Sequence, residues 1–268
     1  MLEVLVSFLI TTRVSMTPFY CFNHLKSIPN CRHSITTKTM DEPYAFSVAL
    51  HTDEDSKDII ENRKKIIKQL KWDRNVSFIV ANQTHSDHIT VIKENKHRGW
   101  EQINDAVEDC DALITDRKDI VLTILTADCV PILLMDTKKN VVAAIHAGWR
   151  GSKDEILAKT VKKMCDIFSC DTKNIIAGIG PAIGVCCYEV DSNVANYFHA
   201  SQKVAILKED KYMLDLPEVN RQQLLNVGLA ESNIEMSDIC TACEVDRFFS
   251  YRKEKGCSGR FMSMIGLK

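Results

Sequence analysis

Between residues 112 and 145 the chain is a succession of short apolar runs, many of them β-branched, separated by polar turns. The runs at 112–115, 120–126, 131–135 and 141–145 are too short and too closely spaced for a helical bundle and read as strands. Further strand-like segments lie at 46–50, 76–81, 89–92 and 175–179, and at the extreme amino terminus over 4–10. Helical spacing places Ile59, Arg63, Ile66, Ile67 and Leu70 on one helix started by Asp55 or Ser56. Other helices are expected over 153–168, 190–199 and 217–228. The polar stretch 26–43, with its two prolines, reads as a loop or a local insertion. Strands and helices mix without strict βαβ alternation, so the expected fold is a mixed-sheet α/β or α+β domain and not a Rossmann fold.

With 268 residues, 45% of them hydrophobic, the chain can bury a full core as a single domain. A net charge of −2 offers no basic field for nucleic acid or an anionic membrane, which points to a small-molecule partner. The apolar run at 4–10 is too short to span a bilayer and follows Glu3 instead of a basic residue, so it is expected to be a strand and not a signal peptide. Eleven cysteines, an odd number that includes the adjacent pair Cys186–Cys187, suit a reduced cytoplasmic protein better than a disulfide scaffold.

Potential metal ligands end three of these strands: His85 in Gln83-Thr84-His85-Ser86, Cys129 after Thr126-Ala127-Asp128, and His146 at the head of His146-Ala147-Gly148-Trp149-Arg150-Gly151. Two imidazoles and a thiolate fill three positions of tetrahedral zinc and leave the fourth for water or substrate. The spacings match no local metal motif, so a buried structural cysteine and hydrogen-bonded histidines stay open as the alternative. Ser152-Lys153-Asp154-Glu155 has the form of a capping box, which would start a helix directly after Gly151 and make its amino terminus, with Arg150, a seat for an anion. Gln83 and Asp128 flank the ligands and are candidates to orient them or the substrate; hydrogen bonds that close a strand end are the competing reading. Cys240-Thr241-Ala242-Cys243 is a lone CxxC without a second pair nearby in sequence, and supports neither a zinc ribbon nor a redox motif.

The same segments carry a resemblance. QTHS at 83–86, DALIT at 111–115, TADCVPILLMD at 126–136, AAIHAGWRG at 143–151, GIGPAIGVCCYEV at 178–190, FFSYR at 248–252 and GRFMSMIGL at 259–267 stand in one order over most of the chain. In this the chain resembles the YfiH-type purine nucleoside phosphorylases, also known as multicopper polyphenol oxidase or laccase-domain proteins. The resemblance implies a layered α-β-β-α fold with mixed sheets, similar to the catalytic domains of cytotoxic necrotising factors. It implies zinc, with copper as an alternative, on His85, Cys129 and His146. It also implies phosphorolysis of adenosine, inosine and S-methyl-5′-thioadenosine, together with adenosine deamination.

The amino-terminal region departs from the family pattern. Thr11-Thr12-Arg13 and Thr36-Thr37-Lys38 compete for the family's Thr-Thr-Arg strand end, and only the second runs directly into Ala49-Leu50-His51. Eight histidines, none spaced i, i+2, are a poor supply for a four-copper laccase. A cysteine hydrolase using Cys129 with His146 or His85 draws on the same residues and is the main rival, with a zinc-stabilised interaction module as the third reading.

Overall fold

The computed structural model describes residues 19–72, 75–198, 204–208 and 211–268. Two mixed sheets pack face to face. The first has five strands in the spatial order Phe19–Tyr20, Cys31–Thr36, Phe261–Leu267, Ile120–Thr126 and Ser77–Val80. The second has six, in the order Ile234–Met236, Ile175–Ile179, Val130–Asp136, Val141–Ala147, Ala112–Thr115 and Ile89–Val91. Most neighbours are antiparallel, but Ser77–Val80 runs parallel to Ile120–Thr126, Ile89–Val91 parallel to Ala112–Thr115 and Ile234–Met236 parallel to Ile175–Ile179.

The central strands are apolar at successive positions because both of their faces are covered. Along Ile120–Thr126, Ile120, Leu122 and Ile124 point between the sheets, while Val121 and Leu125 join the outer cluster with Ile66 of the Ser56–Leu70 helix. Along Val141–Ala147, Val142 and Ala144 face the other sheet. Val141, Ala143, Ile145 and Ala147 pack outward with Leu157, Val161 and Met164 of the Ile156–Phe168 helix and Leu216, Val219 and Leu224 of Leu216–Asn226. The order of layers is therefore helix, sheet, sheet, helices, as the resemblance implied. A small sheet of Glu189–Asp191, Lys211–Leu214 and Val204–Lys208 completes the described chain. Among the described residues, no helix is long and apolar enough to cross a membrane.

Five expectations need correction and one lies outside the described residues. The segment 46–50 is not a strand: it follows the tight turn Pro43–Phe46, and the side chains of Asn62 and Arg63 take the carbonyls of Ser47 and Val48 that a sheet would use. The stretch 26–43 is not a loop: Cys31–Thr36 is a strand within the first sheet, paired with Phe261–Leu267, and a short helix, Asn23–Lys26, precedes it. Its polar residues misled because the fold buries them between pairing strands; Thr36 Oγ1, fully buried, accepts a hydrogen bond from Met262 N–H at 2.9 Å, and His33 Nε2 accepts from Phe22 N–H at 2.8 Å. The helix expected over 153–168 is two helices, Trp149–Lys153 and Ile156–Phe168, broken at Glu155, which adopts φ 59°. The capping box does not form, because Ser152 is buried against Leu216–Asn226: its Oγ accepts from Asn220 Nδ2 at 2.9 Å and its carbonyl from Gln223 Nε2 at 2.7 Å. The segment 190–199 supplies the end of a strand and a four-residue helix, Ser192–Ala195, instead of a long helix. The segment 4–10 lies outside the described residues.

Candidate metal centre and cavity

The three ligand-bearing segments meet at one end of the sandwich. His85 follows the Ser77–Val80 strand of the first sheet. Cys129 lies on the short link by which the chain leaves that sheet through Ile120–Thr126 and enters the second at Val130. His146 is inside Val141–Ala147, and the alternation that turns Val142 and Ala144 between the sheets turns His146 the same way. The ligand atoms of His85, Cys129 and His146 all lie within 4.8 Å of one another. Cys129 Sγ is 3.9 Å from His85 Nε2, and the two imidazole rings meet edge to face with centroids 4.9 Å apart.

Three backbone features make this convergence possible. His85 and Asp128 hold φ of 61° and 87°, a left-handed conformation that costs most side chains of order 1–3 kcal/mol and that here turns each segment toward the shared point. Gly148 supplies the third: a Cβ there would stand 3.0 Å from His85 Cδ2 and 3.1 Å from Cys129 Sγ, so any side chain would crowd the donor atoms.

Asp111 holds the arrangement together, and it was not among the expected site residues. Its carboxylate is fully buried and lies 2.6 Å from His146 Nδ1. It also accepts hydrogen bonds from Ser86 N–H and Ser86 Oγ, each at 2.7 Å, and from the backbone N–H groups of Thr84 and His85 at 3.2 Å. One side chain thus orients both the His85 turn and the His146 ring, leaving Nε2 of His146 for a ligand. Burial opposes a charge on Asp111, but the bonds from His146 and Ser86 outweigh it and bring its pKa down to about 2. Burial likewise opposes ionisation of Cys129, yet the adjacent His146 and hydrogen bonds from both histidines lower its pKa to about 6. His146 in turn is held up to about 9 against its own burial by Cys129 and Asp111. With no ion bound, these shifts favour a thiolate–imidazolium pair braced by a carboxylate. The donor set of two imidazoles and a thiolate suits zinc and also copper.

The triad opens into a cavity of about 610 Å³, within the range of pockets that enclose small molecules. Gln83 and Asp128 line it, but their polar atoms are engaged. The Gln83 amide donates to Leu125 O at 2.7 Å and accepts from Leu125 N–H at 2.8 Å, continuing the ladder between the two strands in the manner of a backbone pair. Asp128 accepts from Thr241 Oγ1 at 2.7 Å and from Arg252 N–H at 2.6 Å, which makes it a brace for the carboxy-terminal loops.

Arg150 does not line the cavity. It is exposed and lies over the Trp149 ring at 4.4 Å, because the helix starts at Trp149 and Gly151 is buried against Ser86 and Ile156. The arginines that do line the cavity are Arg252 and Arg260, together with His51, Tyr188 and Tyr251. All but His51 lie in the quoted 178–190, 248–252 and 259–267 motifs, which was the signal available in the sequence. Of the two competing amino-terminal stretches, Thr11-Thr12-Arg13 is outside the described residues. Thr36-Thr37-Lys38 leads to His51 at the cavity, while Lys38 itself donates to Val245 O and Glu254 Oε1, at 2.8 and 2.7 Å.

Comparison with known proteins agrees with this architecture. A family model described as multi-copper polyphenol oxidoreductase laccase matches residues 32–268. The purine nucleoside phosphorylase YlmD of Bacillus subtilis is 33% identical over 230 residues, covering 84% of this chain and 82% of its own. A purine nucleoside phosphorylase of Bacteroides thetaiotaomicron is 31% identical, with 91% and 94% covered. Among solved structures, YlmD from Geobacillus stearothermophilus superposes with a TM-score of 0.85 at 31% identity, over 90% of this chain and 93% of that one. The hypothetical protein YfiH of Bacillus licheniformis gives 0.84 at 33% identity, over 94% and 100%.

Proposed function

The chain belongs to the multi-copper polyphenol oxidoreductase laccase family, and from that premise we propose that it is a metal-dependent purine nucleoside phosphorylase. The observation that carries the reading is the opening of the His85–Cys129–His146 triad into the same 610 Å³ cavity that Arg252 and Arg260 line. Relatives carrying the phosphorylase name support the substrate class. Adenosine, inosine and S-methyl-5′-thioadenosine are the proposed substrates, with adenosine deamination as a second activity, and the whole chain forms one catalytic domain. His85, Cys129 and His146 would hold zinc, with copper as the alternative. When bound, the ion supplies Lewis-acid polarisation and makes water a nucleophile near neutral pH.

The chain's own residues do the rest. Arg252 and Arg260 take the place first expected of Arg150 and hold phosphate by charge and forked hydrogen bonding. A phosphate oxygen bonds to the sugar C1′ as the C1′–N9 bond breaks, and the electron pair of that bond leaves with the purine. The Tyr188 ring, already packed under Arg252 at 5.5 Å, offers an apolar face to a base. Asp128 fixes the Arg252 backbone, so its role is to position the phosphate seat. Only two histidines belong to the ligand cluster, which favours a single-ion site over a four-copper oxidase. All eleven cysteines are free thiols, which fits a reducing, cytoplasmic setting.

A second reading has one observation of its own. Cys129, His146 and Asp111 also form a thiolate, base and orienting carboxylate, the order of groups in a cysteine hydrolase. The deciding experiment is product identification from adenosine with and without phosphate, before and after chelation. Adenine formed only with both phosphate and metal supports phosphorolysis; inosine formed without phosphate supports deamination. Full turnover with no metal detectable on the same sample would overturn the metalloenzyme in favour of the thiol mechanism.

A further inference from the structure

A second cluster of metal-type ligands lies apart from the triad. The fold brings Cys186 and Cys187 against Cys240 and Cys243, and the four Sγ atoms lie within 4.8 Å of one another. Cys243 Sγ is 3.5 Å from both Cys186 Sγ and Cys187 Sγ. Four thiolates placed about 2.3 Å from one zinc ion stand roughly 3.8 Å apart, so the observed spacing is that of a tetrahedral cage.

The cage is built on paired backbone. Cys187 N–H donates to Gly184 O at 2.9 Å, and Cys243 N–H to Cys240 O at 3.1 Å, so each cysteine pair sits on a tight turn. The two turns are stitched together by Ala182 N–H to Ile239 O and Thr241 N–H to Ala182 O, at 3.2 and 3.0 Å. Gly184 N–H also points at Cys240 Sγ from 3.3 Å, as it would at a thiolate. A Cβ on Gly184 would stand 3.2 Å from Cys240 Cβ and 3.5 Å from Cys186 Sγ, so glycine is what lets the two turns close. Burial does not explain the grouping, since Cys186 and Cys243 are exposed. A hollow of about 240 Å³, lined in part by Gly184, Cys186 and Cys240, gives an ion a way in. All four are free thiols, and one thiophilic cation engages all four sulfurs at once.

We propose that Cys186, Cys187, Cys240 and Cys243 form a second metal site, a closed four-thiolate site for zinc with a structural role. The thiols release their protons to solvent as the ion binds. With no position open to substrate, the site does no chemistry. It joins two loops that frame the reaction cavity: Ile183 and Tyr188 line that cavity, and Thr241 holds Asp128. The proposal stands independently of the purine reading.

The test is zinc content per chain by mass spectrometry on the full-length protein, for wild type, Cys129→Ser, Cys243→Ser and the double variant. Two ions, one, one and none are expected. One ion in wild type that is lost in Cys243→Ser but kept in Cys129→Ser would uphold this site and sink the triad. Zinc content unchanged by Cys243→Ser would overturn the proposal. As a check that needs no variant, the wild-type protein, zinc-loaded or zinc-stripped, is alkylated in its native state and mapped by peptide. Zinc should protect all four cysteines while exposed Cys257 reacts in both samples. Equal labelling of the four with and without zinc, or a disulfide among them in the zinc-loaded protein, would overturn it.

Discussion

The two sulfur-containing clusters are built on opposite principles. The His85–Cys129–His146 group stands at the ends of sheet strands, where two left-handed residues and a missing Cβ at Gly148 hold three donors beside a large cavity. Its supporting carboxylate, Asp111, is fully buried and accepts from four different residues. The Cys186–Cys187–Cys240–Cys243 group stands on two surface turns and has no carboxylate among its four members. Three donors of mixed type braced from behind leave room for a substrate, whereas four identical donors enclose an ion. On the proposed roles, rigid strand ends suit a site that holds geometry during a reaction, and paired turns suffice for one that joins loops.

The sharpest way to break this contrast is to remove one sulfur from each cluster. Cys129→Ser should lower nucleoside turnover by roughly 100-fold or more, together with loss of its ion, because a hydroxyl is a much poorer ligand than a thiolate. Cys243→Ser should leave kcat within a few-fold of wild type and lower thermal stability instead. Steady-state assays beside melting curves read both, and equal loss of turnover in the two variants would erase the distinction.

Next in size is the brace. Asp111→Asn keeps the volume of the side chain but weakens its hold on His146 and the His85 turn, and should reduce affinity for the triad's ion by about 10–100-fold. Competition against a chromophoric chelator measures this, and the four-thiol site should be unaffected.

A smaller effect, about tenfold, is expected in thiol reactivity of the chelated protein at pH 7. Cys129, at about 6, is a thiolate, while burial and neighbouring sulfurs raise Cys187 to about 11 and push Cys186 up as well. Iodoacetamide should therefore label Cys129 ahead of Cys186 and Cys187, even though Cys186 is more exposed. Preferential labelling of Cys186 or Cys187 would remove the thiolate–imidazolium pair from the account.

The smallest effect concerns stability against pH, again after chelation. His146 is raised from 6.5, so its contribution is intact below 6.5 and is lost as pH rises through about 9. Cys129 is lowered from 9, so its contribution is intact above 9 and is lost as pH falls through about 6. These are two ends of one ion pair, and the chelated protein should show a plateau of melting temperature between about pH 6 and 9, falling by a few degrees outside it. Cys129→Ala should flatten that plateau; an identical profile in the variant would show that the pair adds nothing to stability.

Much of the fold was legible along the chain. The strands at 112–115 and 120–126 have the bounds expected of them, and the helix from Ser56 begins at the cap Asp55, whose side chain accepts from Lys57 N–H at 2.8 Å. Apolar runs and caps are local, and local signals survive folding when nothing distant competes with them. The strand Cys31–Thr36 was illegible because its backbone pairs with Phe261–Leu267, more than two hundred residues away, and its Thr36 hydroxyl accepts from Met262 there. The capping box at 152–155 failed for the same reason, with Asn220 and Gln223 taking the groups a cap would use.

The division holds at the sites themselves. Residue types along the chain marked the candidates: a histidine or cysteine at each of three strand ends, and a CxxC that could be noticed but not partnered. Which of them meet depends on how distant segments pack. The fold lined the cavity with Arg252 and Arg260 and not with Arg150, turned Gln83 into a strand clamp, made Asp111 the hub of the triad, and set Cys186 and Cys187 beside Cys240 and Cys243. The physical reason is one of range. Side-chain type and local periodicity are written within a few neighbouring residues, whereas a site is a convergence of backbone segments. The Cys187–Cys243 contact spans 56 residues and the Asp128–Arg252 bond 124, separations at which only the packed sheets determine what is close.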